Sequence, residues 1–421
     1  MQSSIKLRLT VMNFLQFAVW GAYLTSMGRY LGTAGFGSEI GNFYAMQGLV
    51  SLFMPALMGI VADRWIPAQR LLGVCHMLAG MLMLGVFLYT QTDTPSYPTL
   101  FALYSLSVAF YMPTLALSNS VAYTSLDQAG LDLVKSFPPI RVFGTVGFIC
   151  TMIAVSLLGL EATSGQFAVS AIISLVLAVY AQTLPNCPTA PKGQSKSLVE
   201  ALGLRAFVLF KQRKMALFFI FSMLLGVSLQ ITNGFANPFI STFGEIPAYA
   251  DTFGVKYANI LISLSQLSET LCILLIPFAL RRFGIRRVML IAMVAWVLRF
   301  ALLGLGNPGS GVWLFLLSMI VYGVAFDFFN VSGSLFVDQE TDPSIRSSAQ
   351  GLFMIMTNGI GATLGSLGAQ AVINHFVHTE HDTTAILAGW SMSWYVFAAY
   401  AAVVAVLFAL LFRYNTVTEA K

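Results

Sequence analysis

The sequence predicts an all-α membrane protein of about twelve transmembrane helices, and three observations carry that expectation. Charged residues are only 9% of the 421-residue chain and apolar residues are 57%. A soluble chain carries roughly 25% charge, so water cannot be the solvent over much of this surface. The apolar residues come in long runs, such as 71–89, 167–181 and 396–412, of the kind needed to cross a ~30 Å hydrocarbon core. The runs lack the short alternation of a transmembrane barrel, and a helix satisfies its own backbone in lipid.

The spans are expected at about 8–29, 40–62, 70–91, 97–124, 139–159, 165–184, 214–242, 256–281, 286–306, 310–337, 346–375 and 388–412. The first follows Lys6 and Arg8 as a signal peptide would. Its apolar stretch runs from Val11 past Trp20 and Tyr23 to about Met27, too long for a signal core, and no clear small-residue cleavage site follows. It reads as a retained span. An even count of spans puts both termini on one side. That side collects nineteen Lys and Arg, including Arg64, Arg70, Lys135, Arg141, Lys192, Lys196, Arg281, Arg282, Arg286, Arg287 and Lys421, against Arg29 and Lys256 opposite, with Arg299 inside a span. Positive residues accumulate in cytoplasmic connections, so both termini of this multi-pass protein are expected in the cytoplasm. The net charge of +5 is then a mark of topology and not a footprint for nucleic acid.

The longest cytoplasmic connection falls mid-chain. It divides the sequence into an N-terminal six-helix half at 1–184, a linker at 185–213 and a C-terminal six-helix half at 214–421. The linker opens with Pro185, Pro188 and Pro191, turns Lys/Ser/Gly-rich, and continues as an amphipathic stretch over 197–210. Leu198, Leu202, Phe207 and Leu209 are its candidate membrane-facing anchors. A 6 + 6 division points to two repeated halves. Short basic turns after spans two and eight, Gly59-Ile60-Val61-Ala62-Asp63-Arg64-Trp65 and Ala279–Gly284 followed by Arg286 and Arg287, agree with it.

A charge at mid-bilayer is costly, so an ionisable group there is a functional candidate. Of seventeen acidic residues only two lie deep, Glu269 in span eight and Asp327 in span ten. A carboxyl out of water favours its neutral form, which is the chemistry proton coupling needs. Helical spacing sets polar partners beside them. Gln266 lies three residues before Glu269, Gln230 and Asn233 are three apart on span seven, and Gly323, Asp327, Asn330 and Ser334 form one stripe on span ten. Span one carries Asn13, Gln16, Trp20 and Tyr23, and span eleven carries Gln350, Thr357 and Asn358. Five such spans point to a shared polar cavity, although a single buried amide is often interhelical glue. Arg141, Thr145 and Phe148 share a face of span five, whose double proline, Pro138-Pro139, fits a helix start. Tyr322, Phe326, Phe328 and Phe329 cluster near the carboxyls, and amides with flat rings suit a ligand that has a hydroxyl-rich end and a planar end. His76 reads as a packed histidine, and Arg299 as an ion-paired or snorkelling residue.

Other chemistries find no support. Cys75, Cys150, Cys187 and Cys272 fit neither a metal site nor a disulfide framework, and no phosphate-binding loop appears. No nucleophile stands with a base. The reading is a transporter and not an enzyme, without metal or cofactor, driven by an ion gradient or by the solute's own.

The segment Gly59–Trp65 resembles a degenerate copy of the loop motif of the major facilitator superfamily, G-x-x-x-D-R-x-G-R-R, with Ile66 and Pro67 where the second glycine and a basic residue would follow. Within that superfamily the chain resembles the bacterial nucleoside:proton symporters, the group of the nucleoside and xanthosine permeases. The resemblance lies in Phe137–Ile149, Leu229–Phe239, Ser265–Phe278, Met319–Val337, Ser348–Phe353 and Met112–Ser120. It implies the major facilitator fold of two six-helix halves, import of nucleosides with protons by alternating access, and a central nucleoside site. The matching positions are Arg141, Thr145, Phe148, Gln230, Asn233, Gln266, Glu269, Tyr322, Phe326 and Asp327, with Glu269 and Asp327 the candidates for proton coupling. Gly21-Ala22-Tyr23 departs from the family's Gly-Ser-Trp run, which puts specificity in question if that stretch touches substrate. The expected partners are nucleosides, protons and lipid, and a monomer is expected. A sugar or oligosaccharide:proton symporter of the same fold is the competing reading, and a non-transporting solute sensor a more distant one.

Overall fold

The computed structural model describes residues 2–189, 198–201 and 204–414. Every regular element among the described residues is helical. Ten helical stretches there are long and apolar enough to cross a membrane: Gly37–Arg64, Ala68–Tyr89, Tyr97–Gln128, Lys135–Leu157, Gly165–Thr183, Arg213–Glu245, Ala258–Leu305, Val312–Glu340, Arg346–Phe376 and Thr383–Leu411. Ala258–Leu305 is two crossings, because Gly284 interrupts it at φ 75°. An L side chain is strained in that conformation, so a glycine marks the turn. The first crossing is split between Gln2–Gly21 and Met27–Thr33. Ten, one more from the interrupted helix, and the split first crossing make twelve, numbered here as spans one to twelve in chain order.

The chain forms two compact units, Met1–Phe36 with Met46–Leu202, and Gly37–Ala45 with Gly203–Lys421. In the first, small and branched side chains such as Leu9, Leu72, Cys75, Val121, Leu126 and Leu177 form a dry core. In the second the core is aromatic. Phe218 packs against Phe329, Phe336 and Phe353, and Phe239 against Phe315, Trp390 and Trp394. The segment 37–45 is held there by Gln370, whose Oε1 accepts from the Gly41 N–H at 2.6 Å and whose Nε2 donates to the Gly37 carbonyl at 3.0 Å. Leu158, Val179, Leu274 and Leu410 are each at least 64% exposed; lipid is the solvent that suits them.

Several elements depart from the expected spans. Spans one and seven are not continuous. Between Gly21 and Met27 three-residue bonds intrude, Tyr23 N–H donating to Trp20 O and Ser26 N–H to Tyr23 O, alongside four-residue bonds from Leu24 N–H to Trp20 O and Met27 N–H to Tyr23 O. Between Arg213–Gly226 and Ile231–Thr242 the same happens, with Ser228 N–H donating to Leu225 O and Leu229 N–H to Gly226 O. Such three-residue bonds are those of a 3₁₀ turn. Span eleven does the reverse and widens to a π-helix over Ile355–Gly361. Span five starts at Leu133, ahead of Pro138 and Pro139, which lie inside the helix; the Phe137 ring there packs edge-on against Tyr123 at 4.7 Å. Span twelve starts at Thr383, earlier than expected, because the Asp382 side chain caps it by accepting from the N–H groups of Thr384 and Ala385.

In the linker, Leu204–Lys211 is a 3₁₀ helix with Phe207 exposed and Leu209 buried, so Leu209 points into the protein and is no membrane anchor. Leu202, the Leu198 side chain, Lys192, Lys196 and Lys421 lie outside the described residues. Cys75, Cys187 and Cys272 are buried free thiols and Cys150 is an exposed one.

Candidate functional site

In the C-terminal unit the break in span seven places Gln230 at the start of its second helix, with Asn233 one turn on. Asn233 Nδ2 donates to Gln230 Oε1 at 2.9 Å, which leaves the pair a donor at Gln230 Nε2 and an acceptor at Asn233 Oδ1. Both residues are half-buried, as are Gln266 and Glu269 on span eight.

Spans eight and ten touch at Gly323. A Cβ at that position would lie 2.5 Å from the Ser268 carbonyl oxygen and 2.7 Å from Cys272 Sγ, and Ser268 Oγ donates to the Ile320 carbonyl. This close approach brings Glu269 within electrostatic reach of Asp327 and of the Tyr322 hydroxyl. Asp327 is buried, and its Oδ2 has no hydrogen-bond partner among the described residues. A buried carboxylate oxygen left unsatisfied is expensive, and a proton or a ligand hydroxyl would relieve it. Beside it the Tyr322 ring stacks on Phe326, with centroids 5.6 Å apart and planes at 15°, and meets the edge of Trp296 at 5.9 Å. Phe326 is half-buried, so the stack ends on an accessible ring. Phe329 is spent in the core against Phe218 and Phe353, and Phe328 is buried.

In the N-terminal unit Arg141 lies over the Phe17 ring, 4.1 Å from its centroid. Phe148 meets Trp20 edge-on at 6.4 Å, and Trp20 packs on Tyr111 at 6.0 Å. Thr145, between Arg141 and Phe148, is half-buried. Behind them runs a buried network that sequence reasoning missed. His76 Nε2 pairs with Gln16 Oε1 at 2.8 Å and His76 Nδ1 with Ser174 Oγ at 2.9 Å. Gln16 Nε2 donates to Thr114 Oγ1 at 2.7 Å, and the Tyr111 hydroxyl donates to the Gln16 carbonyl at 2.9 Å.

Part of the polar stripes is engaged within each unit, although Asn13 Oδ1 and Trp20 Nε1 on span one keep no hydrogen-bond partner among the described residues. Span one spends Gln16 on His76 and Thr114, and Asn13 on the Leu9 carbonyl. Span eleven spends Gln350 on a clasp with span ten, Nε2 donating to Ser334 O and Oε1 accepting from Ser334 Oγ. Its Thr357 bonds the Phe353 carbonyl within the same helix.

Arg299 is neither ion-paired nor snorkelling. It is 2% exposed, and no carboxylate pairs with it among the described residues. Its guanidinium donates to Ser318 O at 2.7 Å, Thr232 Oγ1 at 3.1 Å and Ser265 Oγ at 3.4 Å, and lies over the Tyr322 ring at 4.5 Å. The sequence gives no cue to this, because those partners stand 19, 67 and 34 residues away.

Twelve spans that set one buried and one half-buried carboxyl among amides and stacked rings define a polytopic secondary transporter for a small polar solute. The comparisons with known proteins make the assignment finer. A family profile described as "Nucleoside H+ symporter" matches residues 3–417. The xanthosine permease of Escherichia coli K12 is 50% identical over 416 residues, 98% of this chain and 97% of that protein. The nucleoside permease NupG of the same organism is 46% identical over 417 residues, with the same shares covered. A crystal structure of the nucleoside transporter NupG superposes with a TM-score of 0.89 at 45% identity, over 98% of this chain and all of that one. The chain belongs to the nucleoside H+ symporter family, and its fold is the major facilitator fold.

Proposed function

We propose that this chain imports nucleosides together with protons by alternating access, in a bacterial cytoplasmic membrane with both termini on the cytoplasmic side. The orientation is supported by the nineteen-to-two asymmetry of Lys and Arg. The division into halves at 1–184 and 214–421, joined by the linker 185–213, belongs to the same reading. Within the C-terminal unit, Gln230, Asn233 and Gln266 take the ribose hydroxyls, and the Tyr322–Phe326 stack takes the base. Within the N-terminal unit, Arg141, Thr145 and Phe148 contact the nucleoside. Glu269 and Asp327 carry the coupled proton. Protonation removes a buried charge, so the unit can change conformation without dragging an ion through low dielectric.

The observation that supports this most is the buried Asp327 carboxyl, with one unsatisfied oxygen, on a span that packs directly against the span of Glu269. The test is uptake of labelled uridine, adenosine and xanthosine into cells lacking their own nucleoside carriers, at acidic and alkaline pH, with and without a protonophore. The expected result is accumulation that rises at acidic pH and collapses with the protonophore. A chain present in the membrane that moves none of the three would refute the substrate assignment.

A further inference from the structure

Span nine carries none of the candidate substrate residues, yet its Arg299 touches all three spans that carry them in the C-terminal unit. Thr232, which accepts from Arg299, lies between Gln230 and Asn233 on span seven. Ser265, which also accepts, directly precedes Gln266 on span eight. On span ten the guanidinium bonds the Ser318 carbonyl and covers the face of Tyr322, the ring stacked on Phe326. Ser318 Oγ answers by donating to the Arg299 carbonyl at 2.9 Å. A guanidinium keeps its charge in proteins, and burying one without a carboxylate is costly unless other groups satisfy it. Here main-chain and hydroxyl oxygens take the two terminal nitrogens and a ring face covers the plane, while Nε has no hydrogen-bond partner among the described residues. Lysine could keep the charge but not the planar fork that spans three helices.

We infer that Arg299 is the positioning residue of the nucleoside site, setting the Tyr322 ring and the amides of spans seven and eight in register with one another. This rests on the nucleoside reading above. The guanidinium touches no substrate. It fixes the residues that precede Asn233 and Gln266, and it acts on the base through the ring it covers.

The experiment is a double-mutant cycle in the full chain, purified in detergent, with uridine and adenosine binding read by calorimetry and saturating exchange read by counterflow in liposomes. Arg299→Lys should weaken binding about tenfold, the scale of one lost hydrogen bond to a charged group, with the saturating exchange rate held. In a Tyr322→Leu background the same change should cost less than tenfold, since only the route through Thr232 and Ser265 to the amides remains. Wild-type affinity in Arg299→Lys, or the same tenfold loss in both backgrounds, would overturn the inference and leave Arg299 as interhelical glue. Should Arg299→Lys fail to fold, Thr232→Val keeps both charge and ring while removing one acceptor. A loss of about threefold is then expected, and unchanged affinity overturns the inference. A folded wild-type chain that binds neither nucleoside would sink the site reading itself, and the positioning role with it.

Discussion

Gly323→Ala tests whether the carboxyl pair depends on the contact between spans eight and ten. The added methyl would sit 2.5 Å from the Ser268 carbonyl oxygen, against 3.4 Å for ordinary contact, so the two spans must separate by 3.4 − 2.5 = 0.9 Å. The obstacle is backbone, which cannot rotate away. Overpacking of this kind costs about 1–3 kcal/mol, which for a unit of some two hundred residues lowers the melting temperature by roughly 2–10 °C. The same 0.9 Å displaces Glu269 from Asp327 and Tyr322, and a misplacement of about 1 Å at a reacting centre can cost about a hundredfold in rate. The assay is initial uptake of labelled uridine, normalised to surface expression, with melting in detergent followed alongside. Gly368→Ala is the control: no atom lies within 4 Å of its Cβ, and its uptake should stay within about twofold of wild type. Uptake by Gly323→Ala equal to that control would show that the close crossing does not hold the carboxyls in place.

Three further outcomes are expected. Asp327→Asn keeps the shape but cannot take a proton, so concentrative uptake should vanish while counterflow exchange of nucleoside persists equally at acidic and alkaline pH; protonophore-sensitive accumulation by this variant would exclude Asp327 as a coupling group, and Glu269→Gln read in the same assay shows which carboxyl is needed. Gln16→Leu strands His76 Nε2 and removes the donor to Thr114, so melting in detergent should reveal a loss of about 1–3 kcal/mol; an unchanged transition would mean that the network contributes nothing to the fold. Gly284→Ala forces a side chain to φ 75°, ψ 165° at about 1–3 kcal/mol, lowering the melting temperature with the uridine KM unaltered; a shifted KM would tie that turn to the site.

Much of this was legible in the sequence because charge is so scarce in it. With 9% charged residues, two mid-span carboxyls stand out without any knowledge of packing, and the helical spacing of Gln230 with Asn233 and of Gln266 with Glu269 sets each pair on one face. Packing decided what remained hidden. Nothing local distinguishes Gln350, which clasps Ser334, from Gln266, which does not. Arg299 has no partner at helical spacing, so its hydrogen bonds to three spans are invisible before the chain folds. The breaks in spans one and seven escaped because neither contains proline at the break; Gly21 and Gly226 precede them, but glycine is common in membrane helices. The start of span twelve was within reach, since Asp382 followed by Thr383 and Thr384 is an N-cap pattern.

Those tightened turns give the transporter a small store of length. A 3₁₀ residue rises about 2.0 Å and an α residue about 1.5 Å, with about 120° and 100° of rotation each. If the two three-residue bonds at Ser228 and Leu229 relaxed to four-residue ones, span seven would shorten by about 1 Å and everything beyond it would turn by about 40°. Gln230 and Asn233 stand at the near end of that rotating part. A change of winding, with no unit of the fold displaced, would therefore swing the two amides away from a ligand, and amide hydrogen exchange at 228–229, compared with and without bound uridine, would register it.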